Sequence, residues 1–366
     1  MQQRNRCPKI GDHGLTLMES ANCESGLLVS SIAKQTVAFR SRSVFAICAT
    51  LFMIVALLLT AIAPVAMSIG IVFLFAGPHN YAEARYFLTR LPARMGRLKT
   101  FFIVSAVGVV SLTITFPLLT RLPNWMQWPQ ISVLWLLGIW NTTLILWCSA
   151  LAWLRSRQRP KRNWDYALPI GLAMAGLTWV QPILLPLLLV FLHPLMGLWV
   201  LDREIAKSSP EWQTVYRRCL CCVPVMLLIL WTIGPGTSTD LVLFDISHAA
   251  RNQISHHAGA AVLTMINPAK LIATHAFLEL LHYGVWLVAV PAASGRVFSD
   301  GFRNIPLMKR SGTFQNLISA LLLISACVVA VLWVCFTADY STTRDVYFTV
   351  AMLHVLAEVP FLLRLL

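Results

Sequence analysis

The chain has 366 residues, of which 57% are hydrophobic and 12% charged, and its net charge is +14. Soluble domains carry about 25% charged residues, so this composition, with a mean hydropathy of +0.69, excludes a soluble fold. The basic excess lies in short clusters between apolar runs, where topology signals of membrane proteins belong. No soluble domain is left to present a basic face to nucleic acid, so lipid headgroups are the expected counter-charge.

Residues 1–43 are polar and mixed in charge, without a short apolar core leading to a small-residue cleavage site. They read as a disordered cytoplasmic tail rather than a cleavable signal peptide. The rest, 44–366, reads as one multi-span membrane domain. Apolar blocks occupy 44–77, 100–120, 131–154, 166–201, 219–234, 268–291, 313–336 and 346–363. Hydrocarbon offers the backbone no hydrogen-bond partners, so such runs must be helical. A crossing takes about 20 residues, which makes 44–77 and 166–201 too long for one crossing each. Pro64 interrupts the first, Pro182 and Pro186 the second. Proline removes a helix donor and clashes with the preceding turn, so each block is predicted to fold as a tight helical hairpin.

Loop charges test the hairpins independently. The first block follows Arg4, Arg6, Lys9, Lys34, Arg40 and Arg42, and precedes Arg85, Arg90, Arg94, Arg97 and Lys99. The second is flanked by Arg155, Arg157, Arg159, Lys161 and Arg162 before it, and by Arg203, Lys207, Arg217 and Arg218 after it. Basic loops stay in the cytoplasm, so each block must cross an even number of times. The result is an all-α, polytopic transmembrane bundle of about ten spans, both termini cytoplasmic, in a bacterial cytoplasmic (inner) membrane. Of 29 Lys and Arg, only Arg121, Arg251, Lys270 and Arg344 fall outside. Trp125 and Trp128, in an outer turn, suit an interfacial aromatic belt.

Of the nine cysteines most lie in spans or on the cytoplasmic side, so no disulfide framework is expected. Cys219, Cys221 and Cys222, beside Arg217 and Arg218, read as small apolar residues at a helix start. Acylation or a soft metal is the alternative.

The spans contain few ionisable groups: His193, His275, Glu279, His282, His354 and Glu358, with His79 and Glu83 just past the second span. Such groups are costly in lipid and mark function by default. Three pairs, His79/Glu83, His275/Glu279 and His354/Glu358, share the spacing His-x-x-x-Glu, which puts both side chains on one helix face. His282 extends the second pair into a stripe at i, i+4 and i+7. By depth, all but His275 fit a cluster in the inner half of the bundle; by spacing, His275 belongs with Glu279 and His282. Imidazoles with carboxylates form the ligand set of non-haem iron, and also of zinc or manganese. The candidate ligands are His79, His193, His275, His282 and His354, with Glu83, Glu279 and Glu358 catalytic or orienting the histidines. Interhelical hydrogen bonds among the same groups are the structural alternative. His13 lies in the tail. His248, His256 and His257, near Asp240 and Asp245, read as solvated residues of a 235–267 outer loop that carries a re-entrant or interfacial helix. Asp202, Arg203 and Glu204 read as a solvated turn.

Gly77-Pro78-His79-Asn80-Tyr81-Ala82-Glu83 resembles the Pro-His-x-x-x-acid signature of bacterial membrane β-carotene dioxygenases, the retinal-forming family. The resemblance covers seven residues. Glutamate stands where that family usually has aspartate, and this chain has more spans. It implies an iron held inside the bundle with His79, His193, His282 and His354 as ligands. The corresponding function is a membrane metal-dependent oxidoreductase or oxygenase acting on an apolar lipid or isoprenoid small molecule. Two other classes remain open. One is an ion-coupled transporter using the His and Glu residues as a relay, since a hairpin followed by two crossings occurs twice, with Pro78-His79 and His193-Pro194 in comparable places. The other is a non-enzymatic membrane scaffold. No P-loop, dinucleotide fingerprint, nucleophile elbow or kinase signature occurs in a usable context.

Overall fold

The computed structural model describes residues 42–92, 96–158, 163–234, 247–294 and 311–365, together with 305, 306, 308 and 309. The tail expected over 1–43 thus falls outside the described residues except for its last two positions. No strand occurs among the described residues. The helices are α1 (Arg42–Ile62), α2 (Pro64–Thr89), α3 (Lys99–Trp125), α4 (Gln130–Gln158), α5 (Ala167–Thr178), α6 (Leu184–Ser208), α7 (Gln213–Ile233), α8 (His248–His257), α9 (Pro268–Ser294), α10 (Gly312–Ala338) and α11 (Tyr340–Leu365). Helix α2 includes a π-helical turn at Val72–Ala76, and α9 another at Val285–Ala289.

Both hairpins form. At Ala63 the backbone leaves the helical region (φ −138°, ψ 68°), and Pro64 takes the first position of α2, where its missing N–H is not needed. The chain reverses there: Phe45, near the start of α1, packs with Tyr86 and Phe87 near the end of α2. Val65, at the turn, packs instead with Ile254 and Ile272 at the opposite end of the bundle. The second hairpin turns at Trp179–Ile183, where the Pro182 carbonyl accepts from Asn141 Nδ2 at 2.7 Å. Its first arm, α5, has 12 residues, or ~18 Å of rise against a hydrocarbon core of about 30 Å. Against the expectation of about ten spans, nine helices among the described residues are long and apolar enough to cross a membrane, and α5 is a further, shorter apolar helix. The apolar Trp179 and Val180 continue the hydrophobic run, but they already belong to the turn that the proline imposes.

Glycines let α3, α4 and α5 approach closely. A Cβ at Gly108 would lie 1.9 Å from Trp147 Nε1, and one at Gly171 would lie 2.0 Å from Ser149 Oγ. Trp147 uses the space to donate to the Val104 carbonyl at 3.0 Å. Helix α9 is central: 61% of its most apolar stretch is buried, against 17–39% in the other eight long helices. Asn267 caps its start by accepting from Ala269 N. The large apolar side chains left exposed on α1, α5 and α10 form the surface that hydrocarbon would cover.

The start of α1 and the end of α11 lie at one end of the bundle. Phe45, Phe361 and Leu362 pack against one buried apolar cluster there, and Arg364 donates to the Arg90 carbonyl at 3.0 Å. Glu204 holds this end together and is not a solvated turn residue. It is 2% exposed, accepts from Tyr86 Oη at 2.8 Å, Ser208 Oγ at 3.0 Å and Ser294 Oγ at 3.3 Å, and pairs with Arg90. Asp202 pairs with the exposed Arg217 at 2.9 Å. Arg344 is also corrected. It is not an outer-loop cation but lies inside α11, 1% exposed, because that helix starts at Tyr340 rather than 346. The described cysteines are free.

Candidate metal centre

Four histidines from four helices converge at the core of the bundle: His79 on α2, His193 on α6, His282 on α9 and His354 on α11. Their ring centroids lie 5.3 Å (His79–His282), 5.2 Å (His79–His354), 4.7 Å (His193–His282) and 4.8 Å (His193–His354) apart. His79 and Glu83 do not sit at the span boundary. Gly77-Pro78 reads as a helix end, but the π-turn before it takes up the proline and α2 continues to Thr89. His79 is 1% and Glu83 2% exposed as a result. Two π-turns flank the centre, one on each of the helices carrying His79 and His282, a placement common beside functional sites.

The Nδ1 atoms of three histidines face partners that take a proton. His79 Nδ1 lies 3.2 Å from the Phe75 carbonyl, His282 Nδ1 lies 3.3 Å from the Pro194 carbonyl, and His193 Nδ1 lies 3.1 Å from Glu358 Oε2. With Nδ1–H donated outward, each Nε2 carries its lone pair into the centre, the tautomer that metal-binding histidines adopt. His79 Nε2 and His282 Nε2 have no hydrogen-bond partner, whereas the Glu83 and Glu358 carboxyl groups lie within hydrogen-bond reach of each other. Buried polar atoms without partners are rare and call for an explanation. One donor atom each from His79, Glu83, His282 and His354 lies within 4.8 Å of the other three. His193 adjoins this group through its Nε2, 3.0 Å from His354 Nε2. That spacing matches two nitrogens in adjacent positions about 2.1 Å from one ion. It equally matches a hydrogen bond if one of the nitrogens keeps its proton. Tyr283 stacks on the His79 ring at 4.1 Å, and the fully buried Trp286 lies 6.4 Å from His282.

His275 and Glu279 stay outside this group. They face each other at 3.6 Å one to two turns nearer the start of α9, and Glu279 also accepts from Tyr283 Oη at 3.4 Å. Glu358 stands between His193, 3.1 Å from its Nδ1, and the Glu83 carboxyl. Because α9 is enclosed on nearly all sides, its polar residues need not share one stripe.

A cavity of about 560 Å³ leads from the four histidines past Tyr283, Tyr347 and Phe348 to His257, Arg344 and Arg121. Apolar side chains such as Leu189, Val190 and Met352 complete its lining. His257, expected in a solvated loop, is half-buried at the end of α8, 5.1 Å from His275 and 4.1 Å from Phe348. Burial first, and then the neighbouring His275 and Arg344, hold its imidazole well below the usual range of 6.5. Neither His257 nor Arg344 stands out in the sequence, since one looks like a loop residue and the other like a loop charge. The fold alone brings them to the cavity.

Comparison with protein-family models, with curated proteins and with solved structures yields no match.

Proposed function

We propose that the chain is a membrane-embedded metalloenzyme that acts on an apolar lipid or isoprenoid substrate, with a non-haem iron centre as the first choice and zinc or manganese as alternatives. His79, His282, His354 and Glu83 would hold the ion, with His193 as the adjacent fourth imidazole and Glu358 fixing His193. The observation that carries this reading is the set of inward-facing, unpartnered Nε2 atoms of His79 and His282, whose Nδ1 atoms are tied to backbone carbonyls. An interhelical network built only for stability would pair those nitrogens with one another or with the nearby carboxylates. The apolar cavity ending at the centre, about 560 Å³, has the size of pockets that enclose small molecules. Iron bound there would supply oxidative chemistry; the chain would supply a dry, shaped approach and the orientation of the imidazoles. The resemblance of the 77–83 segment to membrane β-carotene dioxygenases favours the same class. In the cell the protein would lie in a bacterial inner membrane, its basic ends in the cytoplasm.

The test is metal analysis of untagged protein purified in an uncharged detergent. One equivalent of a transition metal is expected, lost in His79→Ala and His282→Ala variants that keep the wild-type helical content. Well-folded wild-type protein that neither retains nor takes up metal would refute the reading and favour a relay of the transporter kind.

A further inference from the structure

We propose that the end of the cavity remote from the histidines binds the oxyanion head of an amphipathic lipid, a carboxylate or a phosphate, and that Arg344 is the residue that takes it. The inference deepens the proposed function by adding a charged head to the apolar substrate, and it rests on that reading only for what happens at the other end of the lipid.

Arg344 is 1% exposed and lines the cavity from within a membrane-spanning helix. Among the described residues no ion pair joins it to a carboxylate, and its Nε has no hydrogen-bond partner. The carboxylates nearby act on it only at a distance and make their contacts elsewhere: Glu279 with His275 and Tyr283, Asp345 with Gln253 Nε2 at 2.5 Å. A cation buried in a membrane protein without a paired anion is costly, and it marks a ligand or ion path. Phe348 supports the guanidinium from one side, with Cζ 4.6 Å from the ring centroid. Such stacking orients the planar fork without using its N–H donors; Tyr340 takes part of them, and the rest suit two oxygens of one carboxylate or phosphate. His257 and His275 stand on the same stretch of wall and add further donors.

The cavity wall also carries Leu189, Val190 and Met352, apolar side chains that suit a hydrocarbon chain. Arg344 and His354 are ten residues apart on one helix. That separation is ~15 Å of rise, the length of roughly ten to twelve extended carbons. A lipid acid anchored at Arg344 would place the middle of its chain, not its head, beside the histidines.

Metal-stripped protein in an uncharged detergent provides the test, so that head recognition is read independently of the centre. The probes are oleate, oleyl phosphate, oleyl alcohol and methyl oleate, each assayed for binding and for thermal stabilisation. Oleate or oleyl phosphate is expected to bind at least tenfold more tightly than the alcohol or the ester, and the better of the two identifies the head as carboxylate or phosphate. Arg344→Gln is expected to abolish the preference, and Arg344→Lys to retain part of it. Equal binding of all four probes by the wild type would overturn the proposal, even if no substituted protein folded. So would an unchanged preference in Arg344→Gln. Absence of metal from the purified protein would defeat the enzyme reading and leave this measurement intact.

Discussion

Replacing Gly197 by alanine perturbs the histidine centre without substituting any of its residues. Gly197 lies on α6, where that helix crosses α9, and an added Cβ would lie 2.8 Å from His282 Nδ1, 3.3 Å from its Cε1 and 3.4 Å from Trp286 Nε1. Ordinary contacts begin near 3.4 Å, so the imidazole must move by about half an ångström or more, and Trp286, fully buried behind it, offers no room. His282 Nδ1 already stands 3.3 Å from the Pro194 carbonyl, at the long limit of a useful hydrogen bond. The displacement breaks that bond and turns Nε2 away from the centre. Loss of such an orienting partner typically weakens metal binding by 10–100-fold, about 1.4–2.7 kcal/mol. The assay is chelator competition on purified wild-type, Gly197→Ala and Gly70→Ala proteins, with thermal unfolding in parallel. Gly70 has nothing within 4 Å of its added Cβ, so Gly70→Ala is expected to bind metal as the wild type does. Alanine favours a helix over glycine by about 0.5–1 kcal/mol, so lost affinity in Gly197→Ala would not stem from a weaker helix. Unchanged affinity in Gly197→Ala would show that His282 is not held as described or is not a ligand.

Glu204→Gln should lower the stability of the detergent-solubilised protein by about 2–3 kcal/mol, below the 3–5 kcal/mol typical of a fully buried pair because Arg90 is 30% exposed. Denaturant titration checks it, and a change under about 0.5 kcal/mol would contradict the network described. Gly108→Ala should cost about 1–3 kcal/mol or prevent folding, because the rigid Trp147 indole cannot yield 1.9 Å away. An unfolding temperature equal to the wild type's would contradict the close approach of α3 and α4. His257 makes stability fall with acid. The unfolded chain takes up a proton as pH drops below 6.5, while the folded chain, with His275, His256 and Arg344 facing the ring, refuses it. The slope is at most about 1.4 kcal/mol per pH unit. His257→Gln should flatten the profile below pH 6.5, and a profile unchanged by that substitution would show the ring to be solvated.

Spans and hairpins were legible because hydrophobic length and proline position act locally. Helix ends were less so. Arg344 and Asp345 look like the end of a span, yet α11 starts at Tyr340, and the cavity accommodates the arginine. Gly77-Pro78 looks like a terminator, yet a π-turn absorbs it and carries His79 into the core. Spacing suggested that His275, Glu279 and His282 act together. The fold splits them, because an enclosed helix presents polar groups to different neighbours on different sides. His193 joins through depth, as its level in the bundle implied, and its partner Glu358 comes from a helix 165 residues further along the chain.

The most direct test of the histidine centre is X-ray absorption at the edge of whatever metal the untagged, detergent-purified protein holds. One equivalent of metal with a first shell of three or four imidazole nitrogens and a carboxylate oxygen, near 2.0–2.2 Å as protein metal ligands generally lie, is the expected result. A sulfur-dominated shell would contradict the site, and so would folded protein that holds no metal after incubation with iron, zinc or manganese.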